Sequence, residues 1–261
     1  MKQRLDKVLV DRALAPSREK AQALILAGQV RVDGHPAAKA GQSIAEDALV
    51  EVIGKDHPYV SRGGVKLEAA LKSFAVDASG LTALDIGAST GGFTHCLLLH
   101  GATRVIAVDV GYGQLAWEVR NDPRVTVLER TNIRHLQPEA LGTLVDLVVV
   151  DVSFISLVTV LQHAVRFLKP GGRVIGLVKP QFEAGREHIR RGGRVTDTAV
   201  HEDVLLRVQE AGAGLGLELL GQIPSPIEGK KSGNREFLVL WRQNESATTQ
   251  PSGAAPSGTP A

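Results

Sequence analysis

The sequence predicts an α/β protein: a mostly parallel sheet with helices on both faces, preceded by a small α+β module. Three observations lead there. From about residue 58 to 243, strand-like apolar runs alternate with helical patterns, the order expected of parallel strands joined by crossover helices. The run Asp85-Ile86-Gly87-Ala88-Ser89-Thr90-Gly91-Gly92-Phe93 lies between a short apolar stretch, Leu81–Leu84, and a helical one. A strand-to-helix turn of that kind needs residues without Cβ, because the backbone bends sharply and lets a ligand approach. Residues 1–31 carry seven basic side chains against three acidic ones, whereas the whole chain has a net charge of only +2.

Taken in order, residues 1–57 form the first module. Leu5, Val8, Leu9 and Ala13 recur at helical spacing, as do Ala21, Leu24 and Ile25. Pro16-Ser17 separates the two helices, Ser17 is placed to cap the second, and Gly28 ends it. Val30–Val32 and Leu49–Ile53 read as short strands. Residues 58–63 link this module to the next, 64–243. There the strands are Ala83–Ile86, Arg104–Val108, Val125–Leu128, Leu147–Val150 and Val174–Val178. Phe237–Trp241 follows as an edge or antiparallel addition. Helical patterns intervene at Phe93–His100, Gln114–Arg120, Ser156–Leu168 and Val200–Ala211. Residues 244–261 are mostly Ser, Thr, Pro, Gly and Ala with no apolar core, the composition of a disordered tail.

Composition narrows the function classes. Hydrophobic residues make up 43% and charged residues 22% of 261, which is ordinary for a globular protein. Cys96 is the single cysteine, so no disulfide forms within the chain. The eight histidines do not cluster at ligand spacing, and no metal site is expected. The start lacks an apolar signal segment, and the longest apolar stretch, Leu144–Val152, is interrupted by Asp146 and Asp151. A cytoplasmic protein, a monomer or else a dimer, with no membrane partner is expected. The basic N-terminal segment fits either a surface that contacts a nucleic-acid backbone or an ordinary solvated helix face.

In open α/β sheets, ligands sit beyond the carboxyl ends of the strands. The residue after each strand is therefore informative. After the first comes the glycine turn. A dinucleotide site would prefer a glycine where Ser89 stands, so that amides face a pyrophosphate. An acidic residue at the turn and no phosphate-type pattern suit a ligand with a positive centre, such as S-adenosylmethionine. After the second strand comes Asp109, placed to accept from a ribose diol. Asn132, after the third, reads either as an adenine contact or as a polar turn residue. Asp151 and Lys179 follow the fourth and fifth. A lysine closing the apolar strand Val174–Val178 needs a partner, and Asp151 on the neighbouring strand is the obvious one. A structural ion pair is the alternative.

Five blocks together resemble one family. Ser61-Arg62-Gly63-Gly64-x-Lys66-Leu67, the Asp85–Phe93 turn, Asp109-Val110-Gly111-Tyr112-Gly113-Gln114-Leu115, Asp151-Val152-Ser153-Phe154-Ile155-Ser156 and Lys179-Pro180-Gln181-Phe182 are similar to the TlyA family over roughly residues 3–242. The resemblance implies a Rossmann-like class I, FtsJ-like methyltransferase fold with an N-terminal RNA-binding module like that of ribosomal protein S-four. It implies 2′-O-ribose methylation of cytidine in ribosomal RNA, with large-subunit and in some members also small-subunit RNA as substrate. It implies a tetrad of Lys66, Asp151, Lys179 and Glu236, the last in Gly233-Asn234-Arg235-Glu236-Phe237. S-adenosylmethionine would be held by Asp85, Gly87, Ser89, Thr90, Gly91, Gly92, Phe93, Asp109, Asn132 and Asp151. The segment His57-Pro58-Tyr59-Val60 departs from the family linker, which has an Arg and a Trp here.

A protonated ribose hydroxyl is a poor nucleophile, so the enzyme must orient it and remove a proton. Lys179 is the expected general base. Arg4, Lys7, Arg18, Lys20 and Arg31 would grip RNA phosphates, with Arg190, Arg191 and Arg194 and the segment Lys230-Lys231 flanking the active site. Phe154 and Phe182 are the aromatic candidates near it. Competing readings are a nicotinamide-dependent oxidoreductase, a pore-forming haemolysin after the family's older name, and a non-catalytic RNA-binding factor of ribosome assembly.

Overall fold

The computed structural model describes residues 2–26, 28–37, 39–53, 57–229 and 233–245. It divides into two compact units, residues 1–58 and 59–261. Lys230-Lys231 and most of the expected tail lie outside the described residues.

In the first unit, β1 (Lys2–Arg4) pairs antiparallel with β4 (Ser43–Ala45). β2 (Val30–Val32) lies between β3 (His35–Pro36) and β5 (Val50–Val52). Helices α1 (Leu5–Asp11) and α2 (Arg18–Leu26) bury Leu5, Val8, Leu9, Ala21 and Ile25 in one small core. Ser17 Oγ accepts from the Lys20 backbone N–H at 3.2 Å, which fixes the start of α2. Asp6 is fully buried and accepts from Arg4 (2.8 Å), Arg18 (3.1 Å) and Gln22 (3.1 Å). The Arg4 guanidinium foremost, with Gln22 and Arg18, holds its carboxyl well below the usual carboxylate range despite burial.

The second unit runs α3 (Gly63–Ser73), β6 (Thr82–Ile86), α4 (Gly92–Leu99), β7 (Arg104–Val108), α5 (Trp117–Arg120) and β8 (Val125–Leu128). It continues with β9 (Val145–Val150), α6 (Leu157–Ala164), β10 (Leu168–Val178) and α7 (Pro180–Glu183). The last elements are α8 (Thr198–Gly214), β11 (Leu217–Pro224) and β12 (Phe237–Gln243). The sheet order is β11-β12-β10-β9-β6-β7-β8. The five strands from β10 to β8 are parallel. They read as near-continuous apolar runs because both faces are covered. One core layer packs Leu67, Phe93 and Leu97 against Ala83, Val105 and Ile175, and the other packs Leu161, Val204 and Val208 against Leu84, Val148 and Val174.

Three expectations change. β12 is antiparallel, yet it is interior, and β11, unread in the sequence, forms the edge. The helix expected from Gln114 begins only at Trp117. Leu115 instead packs with Ala88, Ala107 and Val119, and the Ala116 N–H donates to Thr90 O, so this stretch supports the glycine turn. The helix expected to reach Leu168 ends as α6 at Ala164, with one tight turn before β10. The chain visits β6, β7 and β8 on one side, then crosses back to β9 and β10. The switch point therefore lies beyond the carboxyl ends of β6 and β9, where a ligand crevice is expected.

Candidate active site

The glycine turn is held from both sides. Gly87 N and Ala88 N donate to Val108 O, and Asp151 N donates to Ile86 O at 3.1 Å. Gly87 has φ +86°, and a Cβ there would lie 2.6 Å from Asp151 O, so only glycine permits this approach of β6 to β9. Gly92 is required for a different reason: a Cβ would sit 2.2 Å from Ser61 Oγ, where α4 packs on the segment leading into α3. Tyr59 in that segment is buried edge-on against His95, and the Val60 N–H donates to His95 Nδ1 at 3.1 Å.

Beyond the turn lies a shallow concavity lined by Ala88, Ser89, Asp109, Gly111, Gln114 and Glu129 among others. The Asp109 carboxylate accepts the Ser89 N–H (2.7 Å) and the Gly111 N–H (2.6 Å), one on each oxygen. Each oxygen keeps a second lone pair for a diol. Gln114 accepts from Ser89 Oγ at 3.3 Å, and Glu129 from the Gly113 N–H at 2.9 Å and from Arg120. Gln114 and Glu129 line the concavity, although polar residues in loops give no separate signal in the sequence. Thr90 is exposed beside Ser89, and Gly91 is buried at the start of α4. Asn132 accepts the Arg134 N–H at 3.1 Å, the geometry of a side-chain-closed turn.

Two residues of the run point inward. Phe93 is part of the core. Asp85 is fully buried, accepts from Thr94 Oγ1 at 2.6 Å, and its Oδ1 finds no hydrogen-bond partner among the described residues. Burial pushes its carboxyl up to about 7, against the Thr94 hydrogen bond and with help from the Asp151 charge. Asp85 thus lies beneath the turn rather than on the concavity.

Strand register brings Asp151, Lys179 and Glu236, far apart in the chain, to one rim of the sheet. β9 ends at Val150 and β10 passes beside it, with Gly176 paired to Val150. Val178 is paired with Phe237 of antiparallel β12. Asp151 and Lys179 are therefore the first residues past two adjacent strand ends, and Glu236 precedes β12 at the same rim. Pro180 opens α7 and stops the strand, leaving Lys179 at its tip. Lys179 Nζ lies 2.6 Å from Asp151 Oδ1 and donates to Ser153 Oγ at 3.0 Å. Lys66 reaches from α3 to Glu236 Oε2 at 2.5 Å. Lys66 is only 9% exposed, Lys179 8% and Glu236 3%, so neither lysine is a surface residue. Phe154, at φ +66° and 85% exposed, has its ring 5.2 Å from that of Phe182.

Among the expected RNA contacts, Arg4 and Arg18 serve the buried Asp6, while Lys7, Lys20 and Arg31 are exposed. Arg190, Arg191 and Arg194 are exposed on a turn closed by Arg190 N–H to Arg194 O at 2.8 Å. Among the described residues no group of His, Cys, Asp and Glu could hold a metal, and no helix is long and apolar enough to cross a membrane.

Comparison with known proteins agrees with this geometry. The FtsJ-like methyltransferase family matches residues 59–243, and the S4 domain matches residues 3–50. The chain is 49% identical over 243 residues to "16S/23S rRNA (cytidine-2'-O)-methyltransferase TlyA" of Mycobacterium tuberculosis, covering 93% of this chain and 90% of that one. It is 39% identical to "Hemolysin A" of Brachyspira hyodysenteriae, covering 90% and 98%. A solved structure from Streptococcus thermophilus superposes with TM-score 0.74 at 41% identity, covering 94% of this chain and 90% of that one. The chain belongs to the FtsJ-like methyltransferases and, within them, to the TlyA family.

Proposed function

We propose that this enzyme transfers the methyl group of S-adenosylmethionine to the 2′-hydroxyl of a cytidine in ribosomal RNA, with Lys179 as general base. The observation that carries this reading is the Lys179–Asp151 pair (2.6 Å) at the rim of the sheet, on the residue whose carbonyl Gly87 closely approaches. The fit to the methyl donor rests on two features: the missing Cβ at Gly87 and the open lone pairs of Asp109. Asp109 would hold the donor's ribose, and Ser89, Thr90, Gly91 and Asn132 would contact it around the turn. Asp85, Gly92 and Phe93 would shape the turn from below. When bound, the donor supplies a methyl group on a positively charged sulfur, open to attack in line.

The protein's own residues supply the rest. A neutral Lys179 amine has two N–H bonds and one lone pair. Asp151 Oδ1 and Ser153 Oγ are placed to take the two N–H bonds. The lone pair is then directed at a hydroxyl proton, as base catalysis demands. Lys66, fixed by Glu236, adds a second cation and orients the ribose. Phe154 and Phe182 are placed to stack on an unpaired base, and the N-terminal unit and the Arg190–Arg194 turn would hold the RNA backbone without reading its sequence. The substrate is large-subunit RNA, with small-subunit RNA a second target as the M. tuberculosis relative's name states for that protein. The enzyme would work in the cytoplasm.

The test is transfer of labelled methyl from S-adenosylmethionine to purified subunits and naked ribosomal RNA, followed by nucleoside analysis. Label in 2′-O-methylcytidine is the expected result. Label in a base-methylated nucleoside, or none in any RNA despite donor binding, would overturn the reading.

A further inference from the structure

We propose that Asn234 is an RNA-positioning residue that acts through the basic turn Arg190–Arg194. The inference rests on the proposed reading of that turn as a contact to RNA phosphates. Asn234 is 2% exposed, and both ends of its amide are used. Nδ2 donates to Gly193 O at 2.7 Å, and Oδ1 accepts the Val195 N–H at 2.9 Å. One side chain thus grips two positions flanking Arg194.

Besides the Asn234 amide, backbone bonds within the turn shape it: Arg190 N–H donates to Arg194 O at 2.8 Å. Gly193 N–H donates to Arg190 O at 3.0 Å, and Gly192 and Gly193 both have positive φ, +83° and +74°. Two successive glycines lose much conformational freedom when ordered. Past the turn the chain is rooted: Val195 is buried, and its carbonyl lies 3.0 Å from His201 Nε2. The His201 ring meets Phe237 edge-on at 5.6 Å. Asn234 is followed by Arg235 and then Glu236, which pairs with Lys66. The amide therefore fastens the three arginines to the same lead-in that places Glu236 at the active site.

Only a side chain with a donor and an acceptor on one planar group can make both bonds. Aspartate keeps the acceptor for Val195 and loses the donor to Gly193. With the turn released, ordering it falls to the binding of RNA, and the loss appears in RNA affinity.

The experiment compares Asn234→Asp and Asn234→Ala with the wild type in methyl transfer to ribosomal subunits. It is paired with donor affinity by calorimetry and a thermal melt. For Asn234→Asp the expected result is an RNA KM raised about tenfold, with kcat and donor Kd within about twofold. In an Arg191→Ala/Arg194→Ala background the same change should add little further, because both act through one turn. A fall in kcat or donor affinity at unchanged RNA KM, full additivity with the arginine changes, or collapse of the melt in both variants would overturn the proposal and leave the amide a structural role. If the arginine variant by itself leaves RNA KM unchanged, the RNA reading of the turn fails, and the proposal fails with it.

Discussion

The candidate active site holds two lysine–carboxylate pairs that differ in how they are enclosed. Lys66 and Glu236 have side chains 11% and 4% exposed and join a helix to a strand. Lys179 and Asp151 are 10% and 22% exposed and join two adjacent strand ends, with Ser153 as a further acceptor. The first pair is closed on both members. The second is closed on the lysine and open on the acid. The difference teaches that equal chemistry can be enclosed to different degrees at one rim, and on the proposed reading the closed pair anchors and the open one reacts. On the proposed mechanism, the fully closed pair holds Lys66 in its orientation, whereas the pair whose acid reaches water leaves Lys179 able to exchange a proton.

The sharpest way to break that comparison is to remove the amine at each site. Lys179→Ala should lower the methyl-transfer rate about a thousandfold in single-turnover assays, within the usual range for loss of a general base. Its melt should stay close to wild type, since Asp151 can reach water. Lys66→Ala should cost about tenfold to a hundredfold in rate and should also destabilise by about 3–5 kcal/mol, because it leaves the Glu236 charge buried alone. The check is chemical denaturation beside the assay. Equal stability losses at both sites would erase the distinction.

The N-terminal unit sharpens it further. Lys7, Lys20 and Arg31 are exposed, whereas Arg4 and Arg18 are committed to Asp6. Reversing Lys7, Lys20 and Arg31 to Glu should raise RNA KM about tenfold at moderate salt and leave donor affinity unchanged. Reversing Arg4 should instead lower stability, because Asp6 is buried.

The smallest effect concerns Asp85, whose carboxyl is buried and bonded to Thr94 Oγ1. Burial raises its carboxyl from the ordinary 3.8 to about 7. Between those values the unfolded chain has lost the proton while the folded one keeps it. Its contribution to stability therefore falls as pH rises through that window and levels off above it. Asp6 has the opposite sign: its stabilisation is present above the ordinary value and is lost as pH falls toward its lowered one. Asp85→Asn should flatten the melting temperature between pH 5 and 7 relative to wild type, read by scanning calorimetry across that range.

Much of this was legible in the sequence, for physical reasons. Leu147–Val150 and Val174–Val178 are buried on both faces, so apolar runs announced them. Lys179 stood out because a lysine at the end of such a run needs a partner, and Asp151 proved to be it. β11 was not legible: most of Leu217–Pro224 is exposed, and Leu219 and Leu220 are about two-fifths so, which leaves no period to read. Lys66 and Glu236 lie 170 residues apart, and only the family resemblance joined them. Asp6 is one of three acids in the basic N-terminal segment, and nothing local marks it as buried, so the commitment of Arg4 and Arg18 to it was not legible. Asn234 sits beside a glycine in a polar stretch, and nothing local reveals that its amide holds a turn some forty residues away.

The most direct test of the central claim is the single-turnover rate of Lys179→Arg, with RNA and S-adenosylmethionine both saturating. Arginine keeps the charge that faces Asp151 and cannot act as a base. The account predicts a rate about as low as that of Lys179→Ala, with donor affinity intact. A rate near wild type would contradict it and reduce Lys179 to an electrostatic anchor like Lys66.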